Sequence, residues 1–228
     1  MQYPTIAIIV PIYNEISIIF ERLPYFQHLN QTGELIFVDG GSIDGTAEQL
    51  RLHGYTVLDS PLPRHRGAQL AAGIRHTDKA IICMHHCDTI LPADGLTQIS
   101  NSLNNTVWGR FGIKIDDYHW SFRIIERLIN WRSCLTAIAT GDQCIFAQRD
   151  YLLSILTELS NHPLMEDIYL SRQLRKHSRP TCLSVSVITS ARYWQRHGIL
   201  RTILKMWWFR VQFYFGCSAE DLYKKYYS

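Results

Sequence analysis

The stretch ELIFVDGGSIDGT, residues 34–46, decides how this chain is read. It is apolar almost throughout as far as Val38, breaks on Asp39, and passes through Gly40, Gly41 and Gly45 into a helical pattern. Strands that are apolar along their whole length are covered on both faces, and in such sheets ligands bind beyond the carboxyl ends. Two more segments repeat the design: TIAIIV (5–10) runs into PIYNE (11–15), and KAIIC (79–83) runs into MHHCDT (84–89). The helix-like segments EISIIFERLPYFQHL, IDGTAEQLRLHG and RGAQLAAGIRHT alternate with these strands and with YTVLD (55–59). The first half therefore reads as an α/β sheet of the nucleotide-binding type, with parallel pairing.

The glycines after Asp39 are not a dinucleotide fingerprint, which requires GxGxxG after the first strand. Here the glycine pair follows the second strand, so a nicotinamide cofactor is disfavoured. Asp39 is placed to accept hydrogen bonds from a base or ribose, and Asp44 is expected to cap the helix that follows. In MHHCDT, the residues His85, His86, Cys87 and Asp88 together suggest a metal cluster. Alternation along an extended chain sends His86 and Asp88 to one side and His85 and Cys87 to the other, which splits that cluster. His85 and Cys87 are read as packing.

With 228 residues, 46% of them hydrophobic, the chain can fill one sizeable core, or a main domain with a C-terminal appendage. A net charge of +3 from 23 basic and 20 acidic residues is too mild for a nucleic-acid binder. Cys83, Cys87, Cys134, Cys144, Cys182 and Cys217 form no CxxC pair, and the reading is reduced thiols without a disulfide framework or structural zinc. MQYPTIAIIVPIYNE lacks a basic region ahead of its apolar run and reads as a first buried strand. With no uninterrupted stretch long enough to span a bilayer, the expectation is a cytoplasmic protein.

After about residue 105 the order changes. TVWGRFGIKI reads as a strand, SFRIIERLINWRSCLTAI as a helix, GDQCIFAQRD as a loop and strand, and TCLSVSVIT as another strand. LMEDIYLSRQLRKH opens with acids and closes with bases, as the helix dipole favours. GILRTILKMWWFRVQFYFG (198–216) is an aromatic, basic helix in which Arg201, Lys205 and Gln212 share one narrow face. Two readings stand for it: peripheral contact with a membrane interface, or packing of Trp207, Trp208 and Phe213 on the core or a second subunit.

Taken in order, these segments resemble the inverting family 2 glycosyltransferases, whose fold is GT-A. VPIYNE is similar to that family's first strand and turn, and FVDGGSIDGT resembles its DDGSxDGT with Gly40 in place of an acid. RGAQLAAG (66–73) resembles its helix near the nucleotide, HHCDT falls where its metal-binding DxD belongs, and MEDIYLSRQLR (165–175) matches the segment supplying its catalytic base. The matches run from residue 5 to 177. The radical-SAM/selenodomain-associated transferase 2 subfamily is the nearest likeness, with His86-Cys87-Asp88 for its HAD, Gly141-Asp142-Gln143 for its GDQ, and a similar YWQRHGILRTILKMWW. The resemblance implies a GT-A domain over residues 1–190, a mostly parallel central sheet flanked by helices, and an amphipathic helical extension over 191–228.

It further implies an enzyme moving a sugar from a nucleoside diphosphate sugar to a hydroxyl acceptor, with a lipid-linked acceptor among the options. A hard divalent cation, Mn²⁺ or Mg²⁺, would be held by Asp88, with His86 helping through a water, a ring nitrogen or a donor contact. Asp167 is the expected general base and Glu166 its substitute, since neighbours on a helix point about 100° apart and one alone can face the acceptor. Such a base implies single displacement with inversion. Pro11, Tyr13, Asn14, Glu15 and Asp39 would border the base and ribose, Arg64 and Arg66 the diphosphate or sugar, and Asp142 and Gln143 the acceptor or sugar side. Three rivals stand beside this reading: a nucleotidyltransferase, a non-catalytic nucleotide or sugar binder suggested by the missing first DxD carboxylate, and a peripheral membrane scaffold.

Overall fold

A computed structural model describes residues 5–104 and 106–227 of the chain. Its first half contains β1 (Ile6–Ile12), α1 (Ile16–Thr32), β2 (Glu34–Asp39), α2 (Thr46–Leu52), β3 (Thr56–Asp59), α3 (Arg66–His76) and β4 (Ile81–Met84). β1 pairs in parallel with β2 and with β4, and β2 pairs in parallel with β3. The carboxyl ends of these strands consequently open on one side, with Ile12 beside Asp39 and Asp39 beside Asp59. Alternation along β1 explains why an unbroken apolar run is required. Ile6, Ile8 and Val10 join a core with Phe26 and Phe37, while Ala7 and Ile9 join another with Leu70, Trp108 and Leu170.

The second half contains β5 (Thr89–Ile90), α4 (Gly95–Ser102), β6 (Trp108–Asp116), α5 (Trp120–Thr136), β7 (Phe146–Gln148), α6 (Arg149–Leu153), α7 (Leu156–Leu159), α8 (Glu166–Leu174) and β8 (Thr181–Ser190). β7 lies antiparallel between β4 and β6, β8 runs parallel to β6, and β5 runs antiparallel to β8. Among the described residues this makes one sheet of eight strands in the order β3-β2-β1-β4-β7-β6-β8-β5. The α/β reading holds, and the parallel half is the part laid down by βαβ crossovers; the antiparallel pairings enter only after β4. α9 (Arg192–His197), α10 (Ile199–Tyr214) and α11 (Ala219–Tyr227) complete the chain. Trp194, Ile199 and Ile203 pack with Ile115, Phe122 and Ile125 in a third core, which joins the C-terminal helices to β6 and α5.

Two expectations are corrected here. Cys134 and Cys182 are joined in a disulfide with their Cα atoms 6.0 Å apart, so these two thiols are not free. The pair is 48 residues apart in sequence and meets where the end of α5 passes the start of β8, a proximity that spacing alone does not show. β4 ends at Met84, so residues 85–88 form a turn instead of a continuing strand. His85 and Cys87 are nonetheless buried and His86 and Asp88 half-buried, because the turn, not a pleat, sorts them.

Candidate active site

The loops after β1 and β2 are tied into one wall. Asn14, at φ +52°, donates its N–H to Ser42 Oγ at 2.9 Å and accepts from the Ile43 N–H through Oδ1 at 2.9 Å. The Glu15 N–H donates to Thr46 Oγ1 at 2.9 Å. Asp44 accepts from the Thr46 N–H at 3.0 Å and from the Ile16 N–H at 3.1 Å, so it closes the start of α1 as well as that of α2. Buried Asp39 accepts from the Gly41 and Ser42 N–H groups at 3.0 and 2.9 Å and from the Ser42 hydroxyl, which engages its carboxylate in shaping its own turn. Gln69 Nε2, also buried, donates to Ile12 O and Val38 O and staples β1 to β2. A Cβ on Gly40 would come within 3.1 Å of that nitrogen, which gives the departure from DDGSxDGT a physical reason.

The opposite wall comes from the antiparallel half. A cleft at the carboxyl end of β1 is lined by Pro11, Arg66, His86, Gly141, Glu166 and Asp167. The His86 Nδ1–H donates to Asp142 Oδ1 at 3.0 Å, and the imidazole lies so close to Gly141 that a Cβ there would sit 2.7 Å from Nε2. Asp167 Oδ2 accepts from the Gly141 N–H at 3.1 Å, and Oδ1 from the Ile168 N–H at 2.7 Å. Turn 141–143 thus locks His86 to the first turn of α8. Gln143 does not reach this cleft: fully buried, it donates to Ser133 Oγ at 3.0 Å and Phe111 O at 3.3 Å and accepts from the Thr140 N–H. Its expected place beside acceptor or sugar is corrected to a support beneath the turn, while Asp142 stays at the surface.

Charge is unevenly settled across this cleft. Arg66, the first residue of α3, places a guanidinium nitrogen 3.9 Å from Glu166 Oε1. Burial pushes the Glu166 carboxyl up to about 7; Arg66 pulls it down and neighbouring Asp167 pushes it further up. Partial desolvation opposes the charge on Arg66, whose side chain stays half exposed, yet Glu166 holds its pKa above the ordinary arginine value. Burial likewise opposes charge on His86, but the hydrogen bond to Asp142 raises it above an ordinary histidine, and the same bond outweighs the partial desolvation of surface-exposed Asp142 to lower that carboxyl. On the other wall, burial and then the charge of Asp88 raise Glu15. His85 also borders the cleft, with Nε2 2.8 Å from the Tyr25 hydroxyl and burial pushing its pKa down to about 3.

No group of three or more His, Cys, Asp or Glu side chains able to enclose a metal occurs among the described residues. A hard cation bound mainly through substrate phosphates needs one or two carboxylates, and Asp88 and Glu15, close enough for the charge of one to raise the other, are the candidates that fit. His86 fits less well as a ligand, because one ring nitrogen is engaged by Asp142 and the other abuts Gly141.

The C-terminus adds residues that no sequence pattern brought to the site. The Arg64 guanidinium, on a residue with φ +51°, lies 4.6 Å from the centre of the Tyr13 ring and 4.3 Å from that of Tyr227. Tyr226 hydrogen-bonds Tyr193 at 3.3 Å and carries Lys205 Nζ over its ring at 4.1 Å. α11 therefore folds back over the arginines expected to meet the donor. The tyrosines of AEDLYKKYY were visible in sequence, but nothing local says where a terminal helix docks.

The model of the family described as glycosyl transferase family 2 matches residues 7–155. The chain belongs to glycosyl transferase family 2. Solved structures place this family 2 chain among GT-A folds. The mannosyltransferase PcManGT from Pyrobaculum calidifontis, in complex with GDP-Man and Mn²⁺, is similar with a TM-score of 0.61 at 20% identity, over 83% of this chain and 57% of that one. S. aureus TarS is similar with a TM-score of 0.63 at 14% identity, over 84% of this chain and 61% of that one. Glucosyl-3-phosphoglycerate synthase from Mycobacterium tuberculosis, in complex with Mn²⁺ and UDP-Glc, gives 0.52 at 15% identity, over 82% and 70%. Among curated proteins, none matches this family 2 chain in sequence. At these identities the structural likeness establishes the fold, and the chain spans less than two thirds of the mannosyltransferase and TarS chains. The family match ends before α8, so the roles of Glu166 and Asp167 are argued from geometry.

Proposed function

We propose that this family 2 chain transfers a glycosyl group from a nucleoside diphosphate sugar to a hydroxyl acceptor by single displacement with inversion. The observation that carries the reading is the convergence on one cleft of the Arg66–Glu166 pair, the His86–Asp142 pair and Asp167, beside the loops that end β1 and β2. The neighbours crystallised with GDP-Man, UDP-Glc and Mn²⁺ support a donor and cation of that class. Asp88, with Glu15 close by, would hold the Mn²⁺ or Mg²⁺, which when bound stabilises charge on the departing diphosphate. Arg66 adds a fixed positive charge at the cleft, and Glu166 positions it. Asp167, oriented by the Gly141 N–H, takes the acceptor's proton through its carboxylate. Pro11, Tyr13 and the rim of the Asn14 and Asp39 turns border the base and ribose.

The interlock of His86, Gly141 and Asp142 supports the likeness to the HAD and GDQ subfamily, since a side chain on Gly141 would displace the imidazole. Trp207 and Trp208 project outward on α10, which supports a peripheral membrane contact by that helix and an acceptor carried on a lipid. No described helix is long and apolar enough to cross a membrane.

The test is transfer and donor hydrolysis measured with UDP, GDP and dTDP sugars, with and without Mn²⁺. Metal-dependent turnover of one donor is expected. Absence of both turnover and metal-dependent nucleotide binding would overturn the enzymatic reading and leave the scaffold.

A further inference from the structure

α10 buries Thr202 and Phe209 and packs Ile199 and Ile203 against the third core. Lys205, over Tyr226, and Gln212, which accepts from Lys225 of α11, are partly covered, while Arg201 on the same narrow polar face is exposed. A second apolar stripe turns outward, with Leu204 62%, Trp207 58% and Trp208 63% exposed. α5 does the same along a second stripe, at Trp120 (69% exposed), Leu128 (57%) and Trp131 (66%). The two helices are neighbours, because Ile125 and Ile129 of α5 pack with Ile199 and Ile203 of α10 in one core. At about 100° per residue, the α10 stripe begins beside Ile203, while on α5 Ser121 and half-buried Arg132 stand between Ile125 and the stripe, so the two apolar stripes flank one shared seam. A patch of this extent marks an interaction site and not ordinary surface.

We infer that α5 and α10 together form a docking face for an anionic lipid bilayer, a proposal that rests on the membrane reading of α10 and extends it to α5. Charge decides the occupant. Arg127 of α5 and Arg201 of α10 are exposed at the outer rims of the two stripes, and Arg196 is exposed on the intervening α9. α9 and α10 contain no acid, and the one acid of α5, Glu126, is buried against Arg123 and the Ile115 N–H. Tryptophan flanked by arginine suits the headgroup boundary, where the ring sits at the interface and the guanidinium reaches lipid phosphate. A second copy docked about a twofold axis would bring these same arginines together with no exposed acid on these helices to answer them.

The experiment uses the full chain with vesicles of phosphatidylcholine alone or mixed with phosphatidylserine. Four of the six tryptophans, Trp120, Trp131, Trp207 and Trp208, lie on the face, so a blue shift of tryptophan emission reports docking directly. Binding to the anionic vesicles is expected, about fivefold weaker for each of Arg127→Gln and Arg201→Gln. Paired Trp120→Ser and Trp131→Ser changes and, separately, paired Trp207→Ser and Trp208→Ser changes should each weaken it, with unchanged circular dichroism showing that these exposed sites leave the fold intact. Loss only with the α10 pair would overturn the two-helix face while sparing the α10 reading. No binding by the native chain would overturn both. A dimer in the absence of lipid, dissociated by either pair, would assign the face to a second copy instead.

Discussion

Asp39 and Asp44 bracket the loop that follows β2, whereas Glu166 and Asp167 line the cleft. The first two take most of their hydrogen bonds from residues two or three positions along their own loops. The second two are set by residues distant in the chain: Asp167 by Gly141, 26 positions away, and Glu166 by Arg66 across the cleft. Asp44 is correspondingly held below the ordinary aspartate value, where hydrogen bonds from Thr46 and Ile16 outweigh burial, whereas burial raises Glu166 to about 7. Carboxylates satisfied by their own loop shape the backbone; a carboxylate buried at a long-range contact keeps the proton affinity that chemistry can use.

The strongest challenge to that contrast is Asp167→Asn. It removes a base but keeps an acceptor for the Gly141 N–H, so transfer should fall about 10²- to 10⁴-fold while donor affinity stays close to native. Equal loss of both in steady-state kinetics and nucleotide titration would make Asp167 a shaping residue like Asp39.

Glu166→Gln tests the other member through stability. The folded value of about 7 lies above the ordinary 4.5, so the neutral form favours the fold. That contribution is complete below about 4.5 and disappears as pH rises through about 7. Glutamine stays neutral throughout, so the variant should match the native chain at acid pH and exceed it at alkaline pH by at most about 3 kcal/mol. Urea unfolding on both sides of neutrality checks this; a variant less stable at alkaline pH would mean that the Arg66 pairing outweighs burial.

Asp44→Ala should cost about 1–2 kcal/mol in the same unfolding assay, because the starts of α1 and α2 each lose an acceptor. Activity per folded molecule should persist, since Asp44 is absent from the cleft lining. The smallest effect belongs to Asp59→Asn. Its partner Arg51 is 2.6 Å away, but Asp59 is largely in water and Arg51 partly so, so the change should stay below about 1 kcal/mol and shrink further with added salt.

The same division explains which features could be read early. β1, β2 and β4, and Asp44 as a cap, follow from apolar runs and hydrogen bonds spanning a few residues. Gln143 was legible as part of GDQ, but its burial beneath the turn depends on Phe111, Asn130 and Ser133, which lie on β6 and α5. The Cys134–Cys182 bridge and the Tyr13–Arg64–Tyr227 stack are likewise products of docking between distant segments.

By itself, the sequence determined the parallel sheet, the loops at its carboxyl ends and the amphipathic character of α10, because strand periodicity, capping and helical spacing operate over neighbouring residues. Only the tertiary structure decided which way that helix faces. α11 covers Lys205 and Gln212 while Ile199 and Ile203 pack against the core that α5 shares, and no pattern internal to residues 198–216 records which neighbour arrives on which side.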